Sequence, residues 1–88
     1  MVYLIVVYDI NVNRIDAVRK FLKTYLTWIQ NSVFEGEVSE SQFAEIKTTV
    51  KDLIDEKQDS VIFYKLKSRK LVDKETIGTS KGEVMNII

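Results

Sequence analysis

Asp9 is the residue in this sequence whose type and position best suit chemistry. It follows the apolar run Tyr3–Tyr8 and precedes a polar link into a basic segment. An acid that ends a buried strand projects from the edge of its sheet, where a ligand can approach. The alternative is that Asp9 only stops the strand or caps the turn that follows. Position alone leaves both roles open.

Two absences narrow the chemistry available to such an acid. The 88-residue chain has no cysteine and no histidine. Disulfides, thiolate nucleophiles, sulfur-ligated zinc and the commonest general base are therefore excluded. Catalysis must rely on carboxylates, hydroxyls, basic side chains or a hard cation bound by oxygen atoms. Magnesium is such a cation, and it usually takes one or two carboxylates together with waters and substrate phosphate oxygens.

The length of the chain points to a second copy. Eighty-eight residues suffice for one domain and not for two. A two-fold dimer duplicates Asp9, and one ion can bridge both copies if the two first strands end near the axis. The ion would neutralise a phosphate and lower the pKa of bound water, so that hydroxide attacks a phosphodiester. A magnesium site shared by two Asp9 carboxylates is therefore one candidate role for this residue, beside that of ending the strand or capping the turn.

Four other charged residues are weaker candidates. Arg14 and Arg19 lie in the basic segment after Asp9 and are either phosphate contacts or solvated helix residues. Glu35 and Glu37 are two apart and share a strand face, so they are either further metal ligands or a charged outer strand edge. Tyr8, which points away from the side of the acid, is predicted to belong to the core.

Charge is segregated along the chain although the formal net charge is zero. Basic residues crowd two stretches, and most acids lie between Glu35 and Asp59. The basic residues are Arg14, Arg19, Lys20 and Lys23 in the first stretch and Lys65, Lys67, Arg69, Lys70 and Lys74 in the second. Such segregation either makes a basic face for nucleic acid or is ordinary solvated surface.

Hydrophobic periodicity predicts six elements. They are a strand at Val2–Tyr8, a helix from about Val12 to Tyr25, strands at Trp28–Gln30 and Val33–Val38, a helix from the capping box of Ser39 and Gln42 to near Glu56, and a strand at Ser60–Lys67. The stretch Thr27–Val38 also fits a single strand. We prefer a hairpin that turns near Asn31–Ser32, with Gly36 as a possible bulge.

The order β-α-β-β-α-β is the signature of an α+β ferredoxin-like fold, with a four-stranded antiparallel sheet and two helices on one face. Apolar residues on both sides of the first and last strands indicate that the second face is covered as well, most economically by a partner subunit. We assign residues 1–68 to this domain and residues 69–88 to a C-terminal strand and tail.

The C-terminal segment is predicted to dock on the partner. Glu75–Thr79 has the pattern of a fifth strand, and apolar residues follow it at Val84, Met85, Ile87 and Ile88. Packing within the same chain and fraying are the alternatives. The apolar run near Met1 has no basic region before it and is too short to span a membrane, so it indicates a strand rather than a signal peptide. A cytoplasmic location is expected.

The combination of these segments resembles the CRISPR-associated protein 2 family. The residues that carry the resemblance are the first strand ending in Tyr8-Asp9, Arg14 at the opening of a basic helix, and the stretch Gln30-Asn31-Ser32-Val33-Phe34-Glu35-Gly36-Glu37. The Gln-x-Ser-Val-Phe segment is the most distinctive of them. The similarity extends over nearly the whole chain and is weakest after Leu66.

The resemblance implies a homodimer whose paired strand-end aspartates bind magnesium and cleave single-stranded RNA or double-stranded DNA. It also implies a central dimer, bridging copies of the integrase subunit CRISPR-associated protein 1, in the complex that inserts new spacers. Asp9 matches the metal ligand, Arg14 matches a basic position, and Ser32 and Phe34 match the motif beside the site. Trp28 occupies a stretch where some members have a basic residue.

Two other functions remain open on the sequence. The first is a non-enzymatic scaffold that holds DNA and an integrase across a two-fold axis. The second is a ferredoxin-like module that binds a small regulatory ligand, since unrelated functions share this fold. An RNA-recognition motif is disfavoured because Val33–Val38 lacks its paired stacking aromatics. An acylphosphatase-like enzyme is disfavoured because no Gly-rich loop follows Asp9.

Overall fold

The computed structural model describes residues 1–79 and confirms the predicted element order. The elements are β1 (Val2–Asp9), α1 (Val12–Leu22), β2 (Thr27–Gln30), β3 (Val33–Val38), α2 (Glu40–Leu53) and β4 (Ser60–Leu66), followed by a short 3₁₀ turn at Arg69–Leu71. The sheet order is β2-β3-β1-β4, and all paired strands are antiparallel. This arrangement is the ferredoxin-like α+β fold.

The central strand β1 buries its alternate side chains beneath the helices. Val2, Leu4, Val6 and Tyr8 all belong to the core. Both helices contribute the apolar stripe that periodicity predicted, with Val18 and Leu22 from α1 and Phe43, Ile46 and Val50 from α2. Strand alternation and helical spacing therefore meet in one core on one side of the sheet.

The opposite side of the sheet carries the remaining side chains of β1 and is called here the open face. It is formed by Tyr3, Ile5, Val7 and Asp9 of β1 and by the residues paired with them on β3 and β4. On β4 these include Ile62 and Tyr64, which are 49% and 54% exposed. The prediction of apolar residues on both sides of the sheet is confirmed, and the open face holds the exposed ones.

Both helices begin at side-chain caps. Ser39 and Gln42 form the predicted capping box, in which the Gln42 N–H donates to the Ser39 hydroxyl at 3.0 Å and the Ser39 N–H donates to Gln42 Oε1 at 2.8 Å. The cap of α1 is Asn11, whose side chain accepts from the Asn13 N–H at 2.9 Å. The helix begins at Val12, as predicted.

The helices end earlier than the sequence predicted. In α1 the last helical residue is Leu22, because Thr24 and Tyr25 donate to carbonyls three residues back and tighten the chain into a turn. In α2 the last residue is Leu53. No helix within residues 1–79 has the length and apolar character needed to cross a membrane.

The predicted bulge at Gly36 is wrong. Gly36 pairs in regular register with Leu4, and the irregularity lies on β2 between Trp28 and Gln30. A Cβ at position 36 would lie only 3.1 Å from Leu26 Cδ2. The glycine therefore permits close packing of the segment before β2 and does not interrupt the strand.

The predicted fifth strand at Glu75–Thr79 is also absent: these residues form no strand in the part of the chain that the structure describes. A strand needs a neighbouring ladder of backbone hydrogen bonds, and this segment has no such ladder with the sheet. Lys74 instead reaches Glu35 on the open face at 2.9 Å. The predicted docking of Val84, Met85, Ile87 and Ile88 lies outside the described residues, and the division at residue 68 stays a prediction.

Candidate nucleic-acid and metal site

Asp9 is the last residue of β1 and lies on the open face of the sheet. Its side chain is exposed, and it makes no hydrogen bond or ion pair with any of residues 1–79. Its partner in the β1–β4 ladder is Ser60. The structure therefore presents a carboxylate at a strand end with all of its acceptor positions available to a ligand.

The residue before Asp9 anchors the strand end to the β2–β3 turn. The Tyr8 N–H donates to the Ser32 carbonyl at 3.1 Å, and the buried Tyr8 hydroxyl donates to the Asn31 carbonyl at 3.1 Å. Asn31 adopts a left-handed backbone with φ of 37°, as the predicted turn requires. Ser32 therefore lies beside the end of the strand that carries Asp9, and Tyr8 is a core residue as predicted.

A second junction fixes the other side of this strand end, and Asp59 is its centre. The Asp59 carboxylate accepts from the Asn11 N–H at 2.9 Å and from the Asp55 N–H at 2.9 Å. It also accepts from Arg14 Nε at 2.6 Å and Arg14 Nη2 at 2.9 Å. These bonds tie the β1–α1 link to the α2–β4 loop. They hold the chain rigidly on both sides of the Asp9–Ser60 pair.

Electrostatics in this junction favour the ionised carboxylate. The hydrogen bond from Arg14 and the backbone donors of Asp55 and Asn11 hold the pKa of Asp59 well below its usual range. The same hydrogen bond raises the pKa of the Arg14 guanidinium. A bidentate guanidinium–carboxylate pair with further N–H donors is a strong and directional arrangement.

Arg14 is thus an anchor of the fold in this structure. Its Nε and Nη2 groups both point to Asp59, whose side chain is 0% exposed, while the Arg14 side chain is 26% exposed. The predicted phosphate contact of Arg14 stays a prediction, and only the N–H groups not engaged by Asp59 are available for it.

Arg19 lies on the other side of α1, over the β2–β3 turn. Its Nε donates to the Tyr8 hydroxyl at 3.1 Å, and its Nη2 donates to the Asn31 carbonyl at 3.1 Å. Its guanidinium carbon lies 5.8 Å from the centre of the Trp28 ring. Arg19 is half-buried and, through its bonds to Tyr8 and Asn31, supports the turn beside the end of β1. Its phosphate contact also stays a prediction.

Phe34 does not lie at a binding surface, which corrects the prediction for this residue. Its side chain is fully buried in the core, with its ring centre 6.1 Å from that of Tyr8. Phe34 pairs with Val6 of β1, and this register turns it toward the helices. Because the side-chain period of a strand is two, Phe34 and the open-face residues must lie on opposite sides.

Glu35 and Glu37 lie on the open face but away from Asp9. Glu35 pairs with Ile5, which is four residues, or about 13 Å, along the strand from the acid. Glu35 is buried and its two carboxylate oxygens accept from Lys74 Nζ, each at 2.9 Å. Since β3 is an interior strand, these residues do not form a charged outer edge. Their role as metal ligands stays a prediction.

Tyr3 borders Glu35 at this end of the open face, where a cavity of about 380 Å³ is lined by both residues together with Arg69 and Lys74. Burial, followed by the negative charge of Glu35, raises the pKa of Tyr3 to about 12. The second basic stretch of the sequence does not form one surface, because Lys74 bonds Glu35 on the open face and Lys65 bonds Glu40 of α2.

The number of oxygen donors around Asp9 decides which metal ion fits there. Within residues 1–79, the acidic side chains form no group of three or more that could hold a metal ion. A single unpaired carboxylate fits magnesium, which completes its coordination with waters and phosphate oxygens. It does not fit a cation such as calcium, which requires many protein oxygens. The shared ion between two subunits stays a prediction.

Sequence reasoning missed two residues that support the end of β1 or the turn beside it. The sequence marks Asp59 only as the end of the acidic stretch, and Trp28 only as a residue in a stretch where some family members have a basic one. The only sequence signal for Asp59 is its place directly before Ser60 at the start of a strand. Its partners are distant in the chain, with Arg14 lying 45 positions away. No local pattern encodes such a pairing.

Comparisons with known proteins agree with this fold and site. A family model described as CRISPR associated protein Cas2 matches residues 1–74. A protein of Methanosarcina acetivorans named CRISPR-associated endoribonuclease Cas2 is 46% identical over 86 residues, which cover 98% of this chain and 99% of the relative. A protein of the same name from Pyrococcus furiosus is 50% identical over 86 residues, again covering 98% and 99%.

Solved structures show the same relationship. A crystal structure of a Cas2 protein has a TM-score of 0.83 and 46% identity, covering 91% of this chain and 90% of that one. The Cas2 protein of Streptococcus pyogenes has a TM-score of 0.77 and 36% identity, covering 86% and 99%. With sequence and fold in agreement, this chain belongs to the CRISPR-associated protein Cas2 family.

Proposed function

We propose that this protein is a magnesium-dependent endonuclease of a CRISPR system, acting in the cytoplasm as a homodimer. Its substrate would be single-stranded RNA, double-stranded DNA or both. The RNA activity is supported by the name endoribonuclease that its relatives bear. Membership of their family removes the support for a small-ligand regulatory module.

The observation that carries the proposal is the unpaired carboxylate of Asp9. The buried acids Asp59 and Glu35 are neutralised by Arg14 and Lys74. Asp9 is exposed and lacks such a partner within residues 1–79, although the strand that carries it is held on both sides. Magnesium bound at this carboxylate would supply charge neutralisation at a phosphate and a more acidic water.

The homodimer is supported by the composition of the open face. Ile62 and Tyr64 are each about half exposed there and lie beside Val7 and Ile5 in the β1–β4 ladder. Covering such a patch with a second copy removes apolar surface from water. Asp9 lies on the same face, so a two-fold dimer formed through the open face can bring two Asp9 carboxylates toward one ion.

A scaffold role is the second candidate. In it, the homodimer bridges copies of the integrase subunit CRISPR-associated protein 1 and holds DNA during spacer acquisition. The sparse chemistry of the chain favours this role, because there is no histidine or cysteine and Arg14 is committed to Asp59. The two roles are compatible, since one dimer can both cleave and bridge.

Replacing Asp9 with Asn tests the enzymatic role. We expect the Asp9→Asn variant to lose roughly hundredfold or more in cleavage rate, because a ligand of the metal that stabilises transition-state charge is lost. The assay follows labelled single-stranded RNA and double-stranded DNA with highly purified protein, with magnesium and with excess chelator. Asp52→Asn, which removes an exposed acid from α2, is the matched control and should cleave like the wild type.

The alternatives give different results in the same experiment. Cleavage that is indifferent to Asp9 or to the chelator would contradict the proposed site and indicate a contaminating nuclease. Loss of cleavage with spacer integration retained in cells would show that the scaffold role is separable from the nuclease. The mass from light scattering completes the test, since a strict monomer would rule out a site made by two Asp9 carboxylates.

A further inference from the structure

Trp28 lies at an edge of the sheet, on the face opposite to the one that carries Asp9. It lies on β2, which is an edge strand of the sheet. It pairs with Phe34, so its ring lies on the helix side of the sheet, next to α1. The side chain is half-buried, and it is the only tryptophan of the chain. Part of the side chain is therefore exposed to solvent, while the rest packs against the core.

The ring of Trp28 is held in a fixed orientation. Its Nε1–H donates to the Asn31 carbonyl at 3.1 Å. The same carbonyl accepts from the Tyr8 hydroxyl and from Arg19 Nη2, each also at 3.1 Å. These three donors meet at one atom of the β2–β3 turn. They connect the ring to the residue that directly precedes Asp9.

Two cations approach the same ring. The Arg19 guanidinium carbon lies 5.8 Å and Lys23 Nζ lies 5.9 Å from the ring centre. Arg19 lies in the last turn of α1, and Lys23 directly follows the helix. They are four positions apart, so they lie on the same face of the helix. Cations over an indole face are attracted by its quadrupole. Two positive groups thus lie within 6 Å of the centre of the Trp28 ring.

We propose that Trp28 is a stacking platform for one base of a single-stranded nucleic acid, with Arg19 and Lys23 attracting the phosphates beside that base. Stacking on an aromatic ring accepts any base, because every base has a flat π face, and positive groups nearby follow the backbone. The platform rests on the proposed function, since it holds the strand that the Asp9 site would cleave.

Intrinsic fluorescence tests the platform directly, because Trp28 is the sole tryptophan. Wild-type protein is titrated with a short oligouridine in chelator, which prevents cleavage. A matched oligomer with the same phosphates and no bases serves as the control. We expect the oligouridine to quench the Trp28 emission on binding and the abasic oligomer to bind with little quenching. Equal quenching by both oligomers would overturn base stacking at this residue.

Variants of Trp28 give a second readout through the anisotropy of labelled oligomers. Trp28→Leu should weaken the binding of oligouridine by about tenfold, as expected for the loss of one stacked base, and leave the abasic oligomer nearly unchanged. Trp28→Phe keeps an aromatic face without the Nε1 donor and should retain most of the affinity. Thermal unfolding of each variant identifies any loss that comes from the fold.

Two outcomes separate this inference from the proposed function. Tight binding of oligouridine without a change in emission, and with Trp28→Leu equal to the wild type, would overturn the platform while the Asp9 nuclease stands. Failure of the wild type to bind either oligomer would contradict both the platform and a single-stranded substrate. Binding with the expected quenching but no cleavage would support the platform and contradict the nuclease.

Discussion

Asp9 and Asp59 lie next to each other in the folded chain and have opposite environments. Asp9 pairs with Ser60 in the β1–β4 ladder, and Asp59 directly precedes Ser60. The side chain of Asp59 is 0% exposed and accepts four hydrogen bonds. Asp9 is exposed and accepts none from the described residues. One acid is fully used by the fold, and the other is left for a ligand.

The difference shows how a small domain can present an unneutralised charge at a defined position. A buried carboxylate is stable only with partners, so the chain supplies Arg14 and two backbone N–H groups to Asp59. Those bonds fix the loops on either side of β1's end. The strand that carries Asp9 is therefore rigid, although Asp9 itself takes part in none of the bonds. The carboxylate that stabilises the fold is thus a different one from the carboxylate of the proposed metal site.

Substitution of Phe34 should have the largest effect on stability, because Phe34, like Asp59, is buried and serves the fold. Phe34→Ala removes a fully buried ring and is expected to lower the free energy of unfolding by about 3–5 kcal/mol. This is a large part of the stability of a small domain. Equilibrium unfolding in urea measures it, and Phe34→Leu should lose less because it leaves a smaller cavity.

A different result would make Phe34 a ligand-binding residue, as Asp9 is proposed to be. If Phe34→Leu unfolds like the wild type but binds single-stranded RNA much more weakly, Phe34 contacts the ligand, as the sequence first suggested. Affinity must be compared without denaturant and at a temperature where both proteins are fully folded. The structure predicts equal affinity under those conditions.

Asp59→Asn should give the next largest effect, and this effect should depend on pH. An amide has one acceptor oxygen, so part of the donor set of Arg14, Asn11 and Asp55 loses its partner. The pKa of Asp59 is depressed in the folded state, so its contribution to stability is present above the ordinary carboxyl value of 3.8 and is lost as the pH falls toward the folded pKa. The variant should melt lower near neutral pH, and the difference should shrink below about pH 4.

The control for this prediction is an acid that has no side-chain hydrogen bond or ion pair within residues 1–79. Asp52→Asn, on an exposed position of α2, should melt like the wild type at every pH. Asp9→Asn should do the same or melt slightly higher, since binding groups are often not optimal for stability. A gap between Asp59→Asn and the wild type that is constant from pH 7 to pH 2 would show that the carboxylate charge is not what stabilises the junction.

The smallest effect is expected at the exposed pair of Lys65 and Glu40. Their side chains are 45% and 64% exposed, and Lys65 Nζ lies 3.0 Å from Glu40 Oε1. Exposed ion pairs are worth about 0.2–1 kcal/mol because water and salt screen them. Glu40→Gln should therefore shift the urea midpoint only slightly, and less still at high salt. A shift as large as that of Asp59→Asn would contradict the distinction between buried and exposed pairs.

Much of the fold was predictable from local pattern. The alternation in β1, the helical spacing of Val18 and Leu22, and the capping box of Ser39 and Gln42 each reflect interactions between residues near in sequence. The boundaries were less accurate, because the last turn of α1 depends on how Tyr25 and Leu26 meet the sheet. The bulge and the fifth strand were wrong because both depend on pairing with other strands.

For the candidate site, too, part was predictable from the sequence and part depended on tertiary contacts. The order of residues was enough to identify Asp9, since an acid that ends a buried strand is visible in sequence and the absence of histidine and cysteine leaves little other chemistry. Arg14 bonds Asp59 across 45 positions of the chain. Phe34 pairs with Val6 across 28 positions, and Trp28 bonds Asn31 across 3. Only the packed chain decides which charges are neutralised and which rings are buried, because burial and ion pairing join residues that local periodicity cannot relate. Asp9 was therefore identified by its sequence position, and its unpaired state was decided by tertiary structure.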